Sequence, residues 1–147
     1  MLANKKQKMQ EGLRKFGDMD SNLNVLIFVE SRYKVNRKRI RTALSNLLAE
    51  QRVNSPIEVS VAIVGDRKMR KLSKKYKGED KTRNVLSFSL TEGGKTETPP
   101  GTLRLGDIVI SYPVVINEAA RDEVLVDDKI EELVAHGMSH LLGLHHE

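Results

Sequence analysis

The histidines are the residues of this chain whose spacing most clearly suggests chemistry, and all four lie in the terminal segment HGMSHLLGLHHE. His136 and His140 are four residues apart, so in a helix their side chains lie on nearly the same side. Gly143 suits a helix end in the left-handed conformation, after which the chain can bring His146 to the pair. Three imidazoles that leave a fourth position open are the ligand set of a catalytic zinc ion. The spacing therefore predicts one Zn²⁺ per chain, held by His136, His140 and His146.

Neither a purification tag nor an ordinary core position accounts for this histidine pattern as well as a metal ion does. A purification tag is an uninterrupted run, whereas His136 and His140 lie within an apolar helical pattern. One histidine on an apolar helix is usually a core residue, but H-x3-H-x5-H with an intervening glycine is far more specific. His145 is either a competing ligand or an exposed neighbour of His146, and we favour the neighbour.

The spacing is also that of the zinc-protease signature H-E-x-x-H-x-x-G-x-x-H, in which the glutamate is the general base. Gly137 stands at that position here, and because glycine cannot accept a proton, the sequence argues against a metallopeptidase. A metal ion can still lower the pKa of bound water and polarise a phosphoryl oxygen. Phosphodiester cleavage then needs a cation to balance the charge that develops on the phosphate.

Candidate cations for such a reaction lie in the stretch YKGEDKTRNVLSF, which contains Lys77, Lys81 and Arg83. We expect Lys77 and Arg83 to position the phosphate, although composition alone favours a solvated basic turn. Asp107 is a lone charge within the apolar segment LGDIVIS. Two interpretations of Asp107 stay open: it ends strand pairing at a sheet edge, or it accepts a hydrogen bond from a metal-bound histidine.

The composition predicts one basic domain. The chain has 147 residues, a formal net charge of +5 and no cysteine, which excludes disulfides and thiolate ligands and fits the cytoplasm. No apolar stretch approaches the length of a membrane span, so we expect no membrane partner. Grouped lysines and arginines would attract polyanions, of which nucleic acid is the commonest.

Strands and helices alternate in the predicted secondary structure. Apolar and alternating patterns predict strands over residues 23–30, 57–65, 84–90 and 105–111. Helices are expected after Asn36, from Asp66 to Gly78, beyond Pro113, and from near Asp127 to the histidines. We therefore expect an α/β (α+β) fold, in which a single-layer mixed four-stranded sheet packs with helices and the metal-binding helix is near the C-terminus.

Two segments are expected to lie outside this core. Residues 1–22 form a polar, basic N-terminal segment, predicted to be either a weak helix or a mobile arm, and residues 23–147 form a single domain. Residues 91–101 carry strong turn signals and predict a flexible connection.

Three segments together resemble one protein family. HGMSHLLGLHH resembles the H-G-x-x-H-L-x-G-x-x-H signature of the YbeY family of metal-dependent endoribonucleases, which are implicated in ribosomal RNA maturation. LSKKYKGEDKTRNVLSF is similar to the family segment L-N-x-x-Y-R-G-x-D-K-P-T-[DN]-V-L-S-F, and LGDIVIS is similar to L-G-D-I-x-I-S. The resemblance implies an α/β fold, zinc held by His136, His140 and His146, and single-stranded RNA as substrate.

The chain departs from the family pattern at several positions. Lys77 stands where the family usually has an arginine that binds substrate phosphate, and lysine lacks the bidentate fork. Phosphate positioning is therefore expected to be weaker or to pass to Arg83, where the family usually has threonine. The family usually has proline at Thr82 and aspartate at His145. His146 is the penultimate residue of the sequence, and we expect a ligand near a chain end to bind metal less firmly unless packing holds it.

The leading hypothesis is a zinc-dependent, single-strand-specific endoribonuclease that acts on ribosomal RNA precursors or ribosomal particles. A metal-activated water or the RNA 2′-hydroxyl would attack the phosphodiester. A non-catalytic RNA- or ribosome-binding factor with a structural zinc is the second hypothesis, and a metallopeptidase is the third.

Overall fold

The computed structural model describes residues 22–53, 55–89 and 101–144 of the chain. Within these ranges the strands are β1 (Leu23–Val29), β2 (Ile57–Val64), β3 (Val85–Ser89) and β4 (Leu103–Ser111). The helices are α1 (Arg37–Glu50), α2 (Asp66–Lys77), α3 (Tyr112–Asp122) and α4 (Val126–Leu141). The predicted strands and helices are confirmed, except that α3 begins at Tyr112, before Pro113, and β4 begins at Leu103, two residues before the predicted start. The predicted N-terminal segment up to residue 21 and the predicted connection over residues 91–100 lie outside the described residues.

The four described strands form one mixed sheet in the order β1-β2-β4-β3. Strands β1, β2 and β4 are parallel, and β3 runs antiparallel to β4, with Val85 opposite Ile110 and Ser89 opposite Gly106. The register of β2 and β4 shifts after Glu58, where β4 contains one extra residue. This arrangement confirms the predicted α/β fold with a mixed four-stranded sheet.

The two faces of the sheet carry separate apolar clusters, because successive side chains of a strand point to opposite faces. The larger cluster joins the strands to α1 and α4, and it includes Ile108 and Ile110 of β4 and Met138 of α4. The smaller cluster joins Val109 of β4 to Met69 of α2. Helices α1 and α4 therefore cover one face, and α2 lies on the other.

Local signals in the sequence account for the ends of the helices. Asn36 caps α1 by accepting a hydrogen bond of 3.1 Å from the backbone N–H of Arg39. Ser111 caps α3 in the same way. Gly78 ends α2 with a φ of 69°, a left-handed conformation that glycine adopts without steric cost.

None of the described helices is both long enough and apolar enough to cross a lipid bilayer.

Candidate metal centre

His136 and His140 lie side by side on the exposed side of α4. Their ring centroids are 6.1 Å apart, and the ring planes are inclined by 39°. The opposite side of the helix is buried, with Val134 and Met138 packed in the larger apolar cluster. Because the apolar residues fix the rotation of α4 about its axis, both imidazoles face outward from the same side of one helix.

The histidine pair fits one divalent metal ion. Two imidazoles that bind one zinc ion through nitrogens at about 2.0–2.1 Å have ring centroids roughly 5 Å apart in tetrahedral geometry. The observed separation of 6.1 Å is close to this value, and both side chains are exposed. Neutral imidazole nitrogens are also the commonest zinc ligands in proteins. The pair can therefore supply two of the three predicted ligands.

Helix α4 ends in a left-handed turn immediately after the pair. Gly143 has a φ of 77°, which confirms the predicted left-handed helix end. Its N–H donates to the carbonyl of His140 at 3.1 Å, and the N–H of Leu144 donates to the carbonyl of Ser139 at 2.8 Å. The third predicted ligand, His146, lies outside the described residues. Among the residues that are described, no group of three or more histidine, aspartate or glutamate side chains is placed to hold one metal ion.

Gly137, between the two histidines in sequence, brings α4 close to the sheet. A Cβ atom added at Gly137 would lie 2.8 Å from Cγ2 and 3.2 Å from Cγ1 of Ile108. Ile108 is fully buried in β4, so it has little room to yield. A glutamate at this position, as in the zinc proteases, has no space. The structure thus gives a packing reason for the residue that argued against a peptidase.

Lys77 is exposed at the C-terminal end of α2, on the opposite face of the sheet from α4. The neighbouring Tyr76 stacks on Phe88 of β3, with ring centroids 4.5 Å apart. This stacking holds the end of α2 against β3, an outer strand of the described sheet. Lys77 and the histidine pair therefore lie near the same edge of the sheet, the edge formed by β3, but on opposite faces of it.

Arg83 lies in the connection between α2 and β3, where it forms an ion pair with Glu79. Lys81 binds the same carboxylate at 2.8 Å. Hydrogen bonds from Lys81 and then Arg83 lower the pKa of Glu79. Of the two predicted phosphate-positioning residues, Arg83 already has an anionic partner, whereas Lys77 has no ion pair within the described residues.

The family of this chain follows from its sequence. Residues 26–147 match the model of the family described as Endoribonuclease YbeY. The chain belongs to the YbeY endoribonuclease family. The predicted resemblance is confirmed, and the matched residues include His136, His140 and His146.

Several YbeY relatives share this similarity over different lengths, and each is named Endoribonuclease YbeY. The relative from Syntrophus aciditrophicus is 33% identical over 118 residues, which cover 80% of this chain and 72% of that protein. The relative from Thermus thermophilus is 38% identical over 109 residues, which cover 74% of this chain and 76% of that protein. The relative from an Azoarcus species is 39% identical over 99 residues, and the match spans only 39% of that protein.

One solved structure shares the fold. The solution structure of a Thermotoga maritima protein aligns with a TM-score of 0.53 and covers 84% of this chain and 75% of that protein. Its sequence identity is 21%, so the likeness concerns the fold alone.

The structure tests both interpretations of Asp107 in this YbeY chain. Asp107 does not end the pairing at a sheet edge, because β4 pairs with β2 on one side and with β3 on the other at this residue. It also does not orient His136 or His140, the two described histidines, since its side chain points to the face opposite α4. There it accepts hydrogen bonds from Ser60 and, at 3.1 Å, from Arg104. The sheet-edge interpretation is therefore wrong, the second fails for both described histidines, and Asp107 belongs to a polar network on the sheet.

The sequence analysis missed the other members of this network. Arg104 also forms an ion pair of 2.7 Å with Glu58, which in turn accepts a hydrogen bond of 2.9 Å from Asn24. A signal was present, because Glu58 and Ser60 are two residues apart and so share one face of β2. The pairing of that face with Arg104 and Asp107 required the register of β2 and β4.

Proposed function

We propose that this YbeY chain is a zinc-dependent endoribonuclease that cleaves single-stranded RNA in the cytoplasm during ribosomal RNA processing. One observation carries the proposal: a chain of this family presents His136 and His140 side by side on the exposed side of a rigidly packed helix. The substrates would be ribosomal RNA precursors, free or in ribosomal particles.

In this proposal His136, His140 and His146 hold the metal. The contact of Gly137 with Ile108 fixes the height of α4 above the sheet and so the position of the first two ligands. A zinc ion bound there would supply Lewis-acid activation of the nucleophile and of the scissile phosphate.

Lys77 is the better candidate for binding the RNA phosphate. It is exposed and has no ion pair within the described residues, whereas Arg83 would first have to leave Glu79. RNA that passes over the outer strand β3 could contact Lys77 on one face of the sheet and the histidines on the other.

Cleavage of a labelled single-stranded RNA by purified protein tests the proposal. We expect cleavage by the wild type, loss of at least about a hundredfold with a chelator, and the same loss in His140→Ala. Ser139→Ala is the matched control, because it removes a polar side chain from the adjacent position of α4. RNA binding by His140→Ala should persist, since the proposed loss is chemical.

Other outcomes would contradict the proposal. Cleavage that survives both the chelator and His140→Ala would exclude the histidine site. RNA binding without any cleavage would favour a non-catalytic RNA- or ribosome-binding factor, and metal-dependent release of peptides from casein would favour a metallopeptidase.

The product ends distinguish the two nucleophiles. A 2′,3′-cyclic phosphate indicates attack by the 2′-hydroxyl of the RNA and excludes direct attack by water as the main route. Mass spectrometry of the cleaved oligonucleotide makes this distinction.

A further inference from the structure

Helix α2 concentrates the positive charge of the molecule. Its 12 residues include seven lysines and arginines and one aspartate. The formal net charge of the whole chain is only +5, so the rest of the sequence is close to neutral. Six of these cations, which we call the α2 basic face, precede Lys77 and are all exposed: Arg67, Lys68, Arg70, Lys71, Lys74 and Lys75.

Among the described residues, the α2 basic face has no carboxylate partner in an ion pair. None of its six cations forms an ion pair with any residue in the described part of the chain. Six cations elsewhere in the same part are ion-paired: Arg39, Lys81, Arg83, Arg104, Arg121 and Lys129. Other described cations, such as Lys34, Arg37 and Lys38, are not ion-paired, but they are not gathered on a single helix face as those of α2 are. Two cations of the face lie over aromatic rings instead, Lys68 at 5.3 Å from the centroid of Phe28 and Lys75 at 5.2 Å from that of Tyr76. The unpaired charge is thus available to an external anion.

The apolar side of α2 is buried against the sheet. Met69 is fully buried against Val64, Leu86 and Val109, and Leu72 packs against the same cluster. A helix that binds a bilayer inserts its apolar side between the lipids. Because the apolar residues of α2 pack on the sheet, only charge remains on its outer side, and this favours a polyanion over a membrane.

The cations form a row along the helix. Residues three and four apart are neighbours on a helix surface, so Arg67, Arg70, Lys71 and Lys74 follow one another along one side. They line a shallow groove that Asp66 and Asp80 also border. The carboxylate of Asp66 accepts hydrogen bonds from Thr82 at 2.7 Å and Ser111 at 3.2 Å. A row of closely spaced cations suits successive phosphates of one nucleic-acid strand.

We infer that the α2 basic face is an RNA-anchoring surface that binds the phosphates of single-stranded RNA away from the histidine pair. The stacking of Tyr76 on Phe88 fixes α2 to β3, and α4 packs near the same strand from the other face. A strand of RNA bent over β3 would then contact both surfaces. The inference rests on the proposed function for the identity of the polyanion.

The test compares two triple variants of the full chain, each in the His140→Ala background so that the RNA remains intact. Arg70→Gln, Lys71→Gln and Lys74→Gln together remove three of the six charges of the α2 basic face, and glutamine retains helix propensity. The control replaces Lys34, Arg37 and Lys38, exposed cations near the start of α1 on the other face, with glutamine. Circular dichroism confirms that both variants are folded.

Fluorescence anisotropy with a labelled RNA oligonucleotide gives the affinity at several salt concentrations. Each phosphate contact contributes about 0.7 to the slope of log affinity against log salt for single strands. We expect the α2 variant to lose roughly 2 from this slope and about tenfold or more in affinity at ~0.1 M salt. The control should stay within about twofold of the parent.

Three results would overturn the inference: an unchanged slope in the α2 variant, an equal loss in the control, or tighter binding of the parent to phosphatidylserine vesicles than to RNA. Failure of the cleavage proposal would look different. In that case the wild type does not cleave RNA, yet the difference in binding between the two triple variants persists and supports the anchoring surface.

Discussion

Gly137 shows how one residue determines both packing and chemistry. The absence of its side chain lets α4 approach Ile108, and the same absence removes the position at which a zinc protease carries its base. The sequence revealed the chemical consequence, since the protease signature is a local pattern. The packing consequence was not predictable, because Ile108 lies 29 positions earlier in the chain, in β4.

We predict that Gly137→Ala destabilises the protein. Alanine normally stabilises a helix interior by up to about 1 kcal/mol relative to glycine. Overpacking against the buried Ile108 costs about 1–3 kcal/mol, so we expect a net loss of about 1 kcal/mol in the free energy of unfolding. Urea denaturation of the wild type and the variant measures this difference in the free energy of unfolding.

A double-mutant cycle supplies the control for this substitution. In the Ile108→Ala background, the Gly137→Ala substitution should cost less or become stabilising, because the clashing Cγ atoms are gone. A Gly137→Ala protein that is more stable than the wild type, or equal costs in both backgrounds, would show that the contact does not limit the approach of α4.

At the scale of elements, a charge cluster joins α3 to α4. Lys129 is buried in the first part of α4, and its Nζ donates to Asp122 at 2.7 Å and to Glu132 at 2.8 Å. Asp122, the last residue of α3, also accepts from Arg121 at 2.9 Å. Hydrogen bonds from Arg121 and then Lys129 hold the pKa of Asp122 well below its usual range. This cluster fixes the start of the helix that carries the histidines.

We predict that Asp122→Asn lowers Tm modestly at pH 7 and that the difference from the wild type narrows in acid. A carboxylate whose pKa is depressed by folding contributes stability above its unfolded pKa of about 3.9. That contribution is lost as the pH falls through the lower pKa of the folded state. The Tm difference should therefore be constant from pH 7 to about pH 5 and shrink below about pH 4.

Glu123→Gln is the matched control for this pH series, because Glu123 is adjacent but is not a carboxylate that Lys129 contacts. The Tm difference between Glu123→Gln and the wild type should stay small at every pH of the series. A difference for Asp122→Asn that grows as the pH falls would contradict the role of this ion cluster.

Elements were predictable where their signals are local. The alternation in β2 and the 3.6-residue period in α1 and α4 are properties of short stretches, and Asn36, Gly78 and Gly143 supplied the helix ends. The position of β4 inside the sheet was not predictable, because strand order depends on pairing between distant segments. For the same reason, the side-chain partners of Asp107 were not predictable from the sequence.

At the scale of the whole molecule, the sheet separates two surfaces of different chemistry. One face carries α4 with the histidine pair, and the other carries α2 with its unpaired cations. The sequence showed the two groups of residues, but their placement on opposite faces follows only from the fold. In our proposal, the RNA is held at the surface of α2 and cleaved at the surface of α4.

The central claim is that His136, His140 and His146 hold one metal ion, and the metal content of untagged protein tests it most directly. Native mass spectrometry should find one divalent metal per chain in the wild type and in His145→Ala. Replacing any of the three proposed ligands with alanine should reduce metal affinity by at least about tenfold. A wild type without stoichiometric metal, or a loss caused by His145→Ala but not by His146→Ala, would contradict the account.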